Sequence, residues 1–207
     1  MLHAVDPTAA PGTAAEAHAR SSDDVGPSAR AAPADPLGAL PRPRLLFAGL
    51  IDERLDYELL VSTLDALPAA QLVLVGPCAL PARRLPRHPR LVIRPAVGLD
   101  ELPRWLHAAD VLLLPYRRTP LGDSLAPLKL RECIATGVPV VATAIPEAVG
   151  LGQDLVRIGD GVDFADAVRA ALGEPATARA TRARALLDET WDDRAARLLD
   201  GMARLSP

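Results

Sequence analysis

The residues whose types and spacing best suit chemistry are Lys129 and Glu132, in the stretch PLKLRECIATG at 127–137. Lys129 is the only lysine in a chain of 207 residues whose 22 other Lys+Arg positions are arginines. A lysine three residues before a glutamate places an ammonium and a carboxylate on one face of a helix. The ammonium could bind a phosphate, and the carboxylate could accept hydrogen bonds from a sugar's hydroxyl pair. An exposed Lys–Glu pair without a ligand is the alternative, and spacing alone leaves both open.

Pro127 and Gly137 mark the ends of the helix that would carry this pair. Proline suits the first helical turn, and a glycine followed by Pro139 ends a helix. The apolar residues of the predicted buried stripe are Leu130, Cys133 and Ile134. Lys129 then lies in the first turn, where the helix dipole disfavours a cation by about 0.3 to 1 kcal/mol. A bound anion reverses that sign, so the segment predicts a phosphate site at a helix N-terminus.

Two arginine-containing loops are weaker candidates for the same anion. GLIDERLD at 49–56 follows a predicted strand, so Gly49 ends the strand and Arg54 is either a phosphate contact or part of a capping turn. YRR at 116–118 follows another strand directly, and Arg117 is the arginine we expect to reach the anion. Surface arginines without a ligand are the usual alternative.

Other kinds of site find little support. The stretch GLGQDL at 150–155 lacks the third glycine and the strand-to-helix context of a dinucleotide fingerprint. The four histidines have no metal-like spacing, and no Ser/His/Asp arrangement stands out. We therefore expect neither a metal site nor a hydrolase triad.

The elements that must position these residues are short apolar strands alternating with amphipathic helices. The strands are predicted at 44–49, 71–76, from 91, at 111–115, 138–143 and 155–159, and the helices at 56–67, 99–110, after the loop at 116–126, at 163–173 and at 178–205. In the second helix Asp100 is the predicted N-cap and Pro103 falls in the first turn. Strands that are apolar on both faces predict a parallel sheet covered on both sides, a three-layer Rossmann-like α/β domain. Ligands bind such sheets at the carboxyl ends of the strands, here the loops after Gly49, Pro115 and Thr143.

Residues 1–43 have a different texture, rich in Ala, Pro, Ser and Asp and without helical or strand period. They predict a linker or a disordered arm before a domain at 44–207. Two cysteines suggest no disulfide framework and fit a reducing compartment. No apolar run approaches the ~18 residues of a transmembrane helix, so we expect a soluble, cytoplasmic protein.

The composition also argues against a nucleic-acid partner. Aromatic residues make up 3% of the chain and the formal net charge is -3, whereas nucleic-acid binding calls for stacking platforms and a clustered basic surface. The basic residues that do cluster, Arg83, Arg84, Arg87 and Arg90, are interpreted as a solvated loop face.

Three segments together resemble the C-terminal domain of retaining GT-B glycosyltransferases of the group 1 type, in particular the branch that includes teichuronic acid biosynthesis enzymes. They are FAGLIDERLDYELL, VLLLPYRRTPLGDSLAPLKLRECIATGVPVVATAIPE and TWDDRAARLL, and the match runs from about Arg44 to Leu199. The resemblance implies the C-terminal half of a GT-B fold. It also implies a nucleotide-diphosphate sugar as donor substrate, with no metal or other cofactor.

The resemblance implies specific roles for the residues above. The diphosphate would lie against the helix N-terminus with Lys129 and Arg54, and the ribose against Glu132. Many family members carry a glutamate eight residues before Glu132 that contacts the donor sugar, whereas this chain has Ser124, and it has Ala126 where an asparagine is usual. The implied nucleotide-sugar-binding residues are Gly49, Arg54, Arg117, Ser124, Pro127, Leu128, Lys129 and Glu132. No catalytic residue is assigned.

The stretch LHAVD at 2–6 resembles the linker between the two domains of family members. It implies that an N-terminal acceptor domain, or a separate subunit, completes the enzyme. We expect a donor-binding domain of a glycosyltransferase that is cytoplasmic, either free or peripheral at the inner face of the cell membrane. The alternatives are a non-catalytic nucleotide- or partner-binding domain and part of a nucleotide-sugar epimerase.

Overall fold

The computed structural model describes residues 35–120, 128–186, 195–196, 199–200 and 204. The strands are β1 Arg44–Ala48, β2 Gln71–Val75, β3 Leu91–Arg94, β4 Val111–Leu114, β5 Val140–Ala142 and β6 Arg157–Ile158. The helices are α1 Tyr57–Ala66, α2 Leu102–Ala108, α3 Leu128–Ala135, α4 Pro146–Leu151, α5 Val162–Leu172 and α6 Ala176–Arg184. The strands pair in parallel in the order β3-β2-β1-β4-β5-β6. This confirms the predicted Rossmann-like α/β architecture.

The core follows from the composition of the central strands. All five residues of β1 and all four of β4 are buried, because helices cover both faces of the sheet. Leu45, Leu46 and Phe47 are fully buried, and each such side chain contributes roughly 1.5 to 3 kcal/mol by leaving water. The chain moves outward from β1 through β2 to β3 and then returns to the other side of β1 for β4. The crevice at the carboxyl ends of β1 and β4 is therefore where such a sheet binds ligands.

Helix α1 is fixed at both ends by side chains. Asp56 caps its N-terminus by accepting a hydrogen bond of 3.0 Å from the backbone N–H of Leu59. At its C-terminus the half-buried Arg90 donates to the backbone oxygens of Leu64, Leu67 and Ala70. The interpretation of Arg90 as part of a solvated loop face is therefore wrong, because its guanidinium satisfies carbonyls that end this helix.

Other sequence-based boundaries also need correction. Helix α2 begins at Leu102, directly after Glu101, and no side chain caps it, so the predicted N-cap at Asp100 is wrong. Pro103 does lie in its first turn. The short helix α4 was not predicted, because its sequence, PEAVGL, contains both a proline and a glycine. The last predicted helix begins two residues early, at Ala176.

Several predictions lie outside the described residues. These include the stretch at 2–6, most of the segment TWDDRAARLL and most of the loop before α3. Of the predicted arm only 35–43 are described, and there Leu37 is buried against the core. The domain boundary at 43–44 stays a prediction.

Candidate functional site

Helix α3 places Lys129 and Glu132 at a cleft on the carboxyl edge of the sheet. Leu130, Cys133 and Ile134 are buried, which confirms the predicted stripe. Lys129 is half-buried, and Glu132, one turn further along, is exposed. The cleft holds about 150 Å³ and is lined by Ala48, Gly49, Val75, Gly76, Pro77, Ala96, Val97, Leu102, Lys129 and Glu132. The structure thus brings together three of the predicted site residues, Gly49, Lys129 and Glu132.

The ammonium of Lys129 lies directly against the backbone of Gly49. A Cβ added to Gly49 would stand 1.7 Å from Lys129 Nζ, so any other residue here would displace the ammonium from this position. The same ammonium lies 5.3 Å from the centroid of the Phe47 ring, within the range of a cation–π contact. Gly76 is also closely approached, since its added Cβ would stand 2.0 Å from a backbone atom, the carbonyl oxygen of Gly49. Glycines at two adjacent strand ends therefore let the two backbones approach closely, and Gly49 leaves the space that the ammonium occupies.

The electrostatic surroundings of Lys129 are unusual for a lysine. Burial lowers the pKa of Lys129, and the nearby positive charge of Arg54 lowers it further. The groups that act in the opposite direction are Cys133, Glu132 and Asp52. Among the residues that the structure describes, no carboxylate forms an ion pair with Lys129. An anion entering the cleft would meet a partly desolvated, unpaired cation.

Arg54 is close enough to act on Lys129, but it has a partner of its own. Its Nε and Nη2 both lie 2.8 Å from Oδ2 of Asp52, a buried carboxylate that also accepts a hydrogen bond from the backbone N–H of Arg54. Hydrogen bonding to Asp52 raises the pKa of Arg54. The capping-turn interpretation is thus correct for the backbone, while the guanidinium stands near the cleft. Sequence reasoning missed the role of Asp52, although an aspartate two residues before an arginine is a recognisable turn signal.

The loop after β4 lies beside the loop after β1. The backbone N–H of Arg117 donates to the oxygen of Arg54 at 2.7 Å, and Arg117 Nε donates to the oxygen of Leu55 at 3.2 Å. The hydroxyl of Thr143, after β5, donates to the oxygen of Tyr116 at 2.7 Å. The three loops singled out by the sequence therefore meet at one edge, with the exposed Arg117 at its rim.

Three predicted site residues precede Lys129 in the chain. Ser124 and Pro127 lie outside the described residues, as does Ala126. Leu128 is described, and it is 54% exposed at the start of α3. Their roles stay predictions.

Burial keeps two further groups near the cleft neutral, the Cys133 thiol and the Tyr116 phenol. Burial raises the pKa of the Cys133 thiol to about 12, so this cysteine is no nucleophile at neutral pH. Burial likewise raises the pKa of Tyr116 to about 12. Within the described ranges, no His/Cys/Asp/Glu group has the arrangement of a metal site. The described helices are too short or too polar to cross a bilayer.

Replacing Gly49 by alanine is expected to weaken the binding of inorganic pyrophosphate about tenfold. The new methyl group would occupy the position of the ammonium, and a φ of 153° is strained for an L-residue. Both effects would displace the ammonium from its contact with the anion. A charge-assisted contact is worth about the free energy of a tenfold change in affinity. Calorimetric titration measures the loss. The matched control is Gly150→Ala in α4, where an added Cβ meets nothing within 4 Å. Equal affinities in Gly49→Ala and the wild type would contradict the anion site.

Comparisons with known protein sequences point to one family for this chain. The description "Glycosyl transferases group 1" matches residues 42–174. The D-inositol 3-phosphate glycosyltransferase of Xylanimonas cellulosilytica is 31% identical over 181 residues, which cover 78% of this chain and 42% of that protein. TuaH of Bacillus subtilis, provisionally named a teichuronic acid biosynthesis glycosyltransferase, is 27% identical over 136 residues, covering 62% and 34%. The chain thus spans about a third to two-fifths of the length of these relatives.

Solved structures agree in fold. AviGT4, a glycosyltransferase involved in avilamycin A biosynthesis, matches with a TM-score of 0.59 and 24% identity over 78% of this chain and 53% of that one. The trehalose 6-phosphate synthase of Burkholderia multivorans matches with a TM-score of 0.55 and 16% identity, covering 82% and 45%. At identities of 24% and 16%, these two structures show that the fold is shared. The chain belongs to the group 1 glycosyltransferases and has the C-terminal domain of their GT-B fold.

Proposed function

We propose that this chain is the donor-binding part of a glycosyltransferase and holds a nucleotide-diphosphate sugar in the cleft at Lys129. The observation that carries the proposal is the Lys129 ammonium, half-buried against Gly49 and without an ion pair among the described residues. A cation in the first turn of a helix opposes the helix dipole, and a bound anion removes that cost. No carboxylate among the described residues pairs with this charge, and a bound anion would do so.

The diphosphate is the part of the donor that fits this position. The first turn of a helix leaves backbone N–H groups without intrahelical partners, and these point toward the carboxyl edge of the sheet in α3. Lys129 adds one full positive charge, and Arg54 adds a second from the neighbouring loop, close enough to affect the pKa of Lys129. Arg54 already forms an ion pair with Asp52, so we assign Lys129 the larger part of the binding free energy.

The nucleoside would occupy the rest of the cleft. Glu132 lines it one helical turn beyond Lys129 and is exposed, so its carboxylate is free to accept hydrogen bonds from the 2′- and 3′-hydroxyls of a ribose. The apolar wall formed by Pro77, Ala96 and Val97 faces the same space and suits one face of a base. The diphosphate, the ribose and the base would thus lie along a single edge of the sheet.

The chemistry follows from the same charges. Transfer breaks the bond between the anomeric carbon of the sugar and the diphosphate oxygen and forms a bond from that carbon to an acceptor atom, which gives up its proton. Negative charge develops on the departing nucleoside diphosphate. Lys129 and Arg54 would stabilise that charge in place, which is the largest contribution that such a site makes to catalysis. We propose that no metal ion is required, because the side chains supply the positive charge.

The acceptor side of the reaction is assigned to another domain or subunit. The chain spans 34% and 42% of its two curated relatives, so more than half of each relative lies outside the match. We propose transfer with retention of configuration, dependent on a partner domain that closes over the sugar. Two free cysteines favour a reducing, cytoplasmic compartment.

Calorimetric titration of the full chain with UDP, GDP and dTDP tests the proposal. We expect one of these to bind with a micromolar dissociation constant, its monophosphate to bind at least about tenfold more weakly, and EDTA to change neither value. Failure of all three diphosphates to bind would contradict donor binding and favour a partner-protein role. Binding that disappears with EDTA and returns with a divalent cation would contradict the metal-independent site.

A further inference from the structure

The surface that the proposed function leaves unexplained is an arginine-rich edge of the sheet. We propose that this edge docks on a lipid bilayer that carries anionic phosphate headgroups. We call it the arginine edge and define it by the exposed side chains of Arg83, Arg84, Arg87 and Arg94. The proposal does not depend on nucleotide binding.

The charged residues of the arginine edge are all positive. The segment 81–98 contains five arginines and no aspartate or glutamate, in a chain whose net charge is -3. Arg90 turns inward to the end of α1, and the other four are exposed, with no ion pair to any carboxylate in the described part of the chain. The carboxylate that does reach this segment is Asp65, 3.4 Å from His88. Four outward positive charges therefore remain.

The arginine edge is presented on a preformed surface. β3 is the last strand on its side of the sheet, and the crossover from β2 to β3 contains a 3-10 turn at Ala82–Arg84. Leu85 packs against the core and anchors the crossover. Prolines at 81, 86, 89 and 95 fix φ along the segment. Binding would thus require little ordering of the chain.

The chemistry of the segment favours a lipid surface over the other anionic partners. Single-stranded nucleic acids are bound on aromatic platforms, and 81–98 contains no Phe, Trp or Tyr. A protein partner needs an apolar anchor at the centre of the interface, and none of the exposed large apolar side chains of the described chain falls in this segment. A guanidinium group binds phosphate oxygens in a bidentate way. The affinity of a basic surface for an anionic bilayer rises with each positive charge that it carries.

The acidic residues closest in sequence mark where the arginine edge ends. Asp100 and Glu101 follow it and are exposed, so the turn before α2 would face away from an anionic surface. Ala96 and Val97, which line the cleft, follow Arg94 by two and three residues. A bilayer docked on the arginine edge would therefore lie beside the cleft.

Vesicle co-sedimentation of the full chain tests this proposal. We expect at least about tenfold stronger binding to vesicles of phosphatidylcholine with 30 mol% phosphatidylglycerol, taken as roughly the anionic content of a bacterial membrane, than to phosphatidylcholine alone, with the difference lost as salt is raised. Changing Arg83, Arg84, Arg87 and Arg94 to glutamine should remove that preference. Changing the same four to lysine should keep most of it, because lysine retains the charge.

The matched control changes Arg169, Arg179, Arg184 and Arg204, four exposed arginines elsewhere, to glutamine. It lowers the formal net charge from -3 to -7, as the arginine-edge variant does, and should lose less than about half of the binding. Thermal unfolding of each variant establishes that it is folded. Equal losses in the two glutamine variants, or equal binding to both kinds of vesicle, would overturn the proposal. Binding to soluble polyglutamate without binding to the anionic vesicles would also overturn it and assign the edge to an acidic polymer.

Discussion

Replacing Lys129 by methionine is expected to weaken the binding of the preferred nucleoside diphosphate about a hundredfold. The variant removes a charge-assisted contact in a partly buried site, worth about 2 to 3 kcal/mol. It leaves the helix N-terminus and Arg54 in place, so residual binding should remain. Calorimetric titration of wild type and variant under the same conditions measures the difference.

The same substitution is expected to leave the free protein as stable as the wild type or more so. Burial lowers the pKa of Lys129, which means that the protonated side chain is less favourable in the folded than in the unfolded state. For a lysine with a lowered pKa, stability is gained as pH rises through the folded pKa, because the unfolded chain then binds more protons. At neutral pH the charge therefore costs stability, and methionine removes that cost. The midpoint of thermal unfolding without ligand measures this effect.

Nucleotide affinity should depend on pH in the opposite direction to stability. The diphosphate binds the protonated lysine, so affinity should fall as pH rises through the pKa of Lys129 in the free protein. Lys129→Met should lack that dependence. Arg184→Gln, an exposed charge on α6, is the control for a general electrostatic effect and should bind like the wild type. Tight binding by Lys129→Met would contradict the site, and a loss of stability in it would contradict the account of its burial.

The sheet could be predicted from the sequence because its strands are apolar on both faces. The run at 111–115 has no polar residue, and only a parallel sheet covered on both sides buries such a strand fully. Arg90 shows where this reasoning ends. Its partners lie 20 to 26 residues away, and no local pattern reports a contact of that kind. The short helix α4 was missed for the related reason that its packing outweighs the weak propensity of PEAVGL.

The site was predictable in position and not in geometry. The proline, the glycine and the apolar stripe around Lys129 place it in the first turn of a helix, and the order of strands places that turn at the carboxyl edge. The contact between its ammonium and Gly49 depends on how α3 packs on β1, which the spacing of residues leaves open. Asp52 was missed because its burial, which fixes Arg54, is a tertiary property.

Replacing Glu174 by leucine is expected to destabilise the protein by about 3 to 5 kcal/mol, because it leaves a charge buried without its counter-charge. Glu174 pairs with Arg157 at 2.7 Å and with Arg182, whose side chain is only 3% exposed. Arg182 also donates to the carbonyl oxygens of Gly137, at 2.9 Å, and Leu155, at 3.1 Å. For a domain of this size the melting temperature should fall by roughly 10 °C. Urea and thermal unfolding measure the loss.

Two controls separate this explanation from a simple loss of packing. The double variant Glu174→Leu, Arg182→Met replaces the buried pair by apolar side chains and should recover part of the stability, since an uncompensated charge is costlier than an absent pair. Recovery should be incomplete, because the carbonyl oxygens of Gly137 and Leu155 lose their donor. Asp166→Asn breaks the exposed pair with Arg169 and should cost at most about 0.5 kcal/mol. Arg182 contacts the turn after α3, at Gly137, whereas Lys129 lies in the first turn of that helix. Nucleotide affinity below the melting temperature should therefore change little in Glu174→Leu. A double variant as unstable as the single one would contradict the buried-charge account.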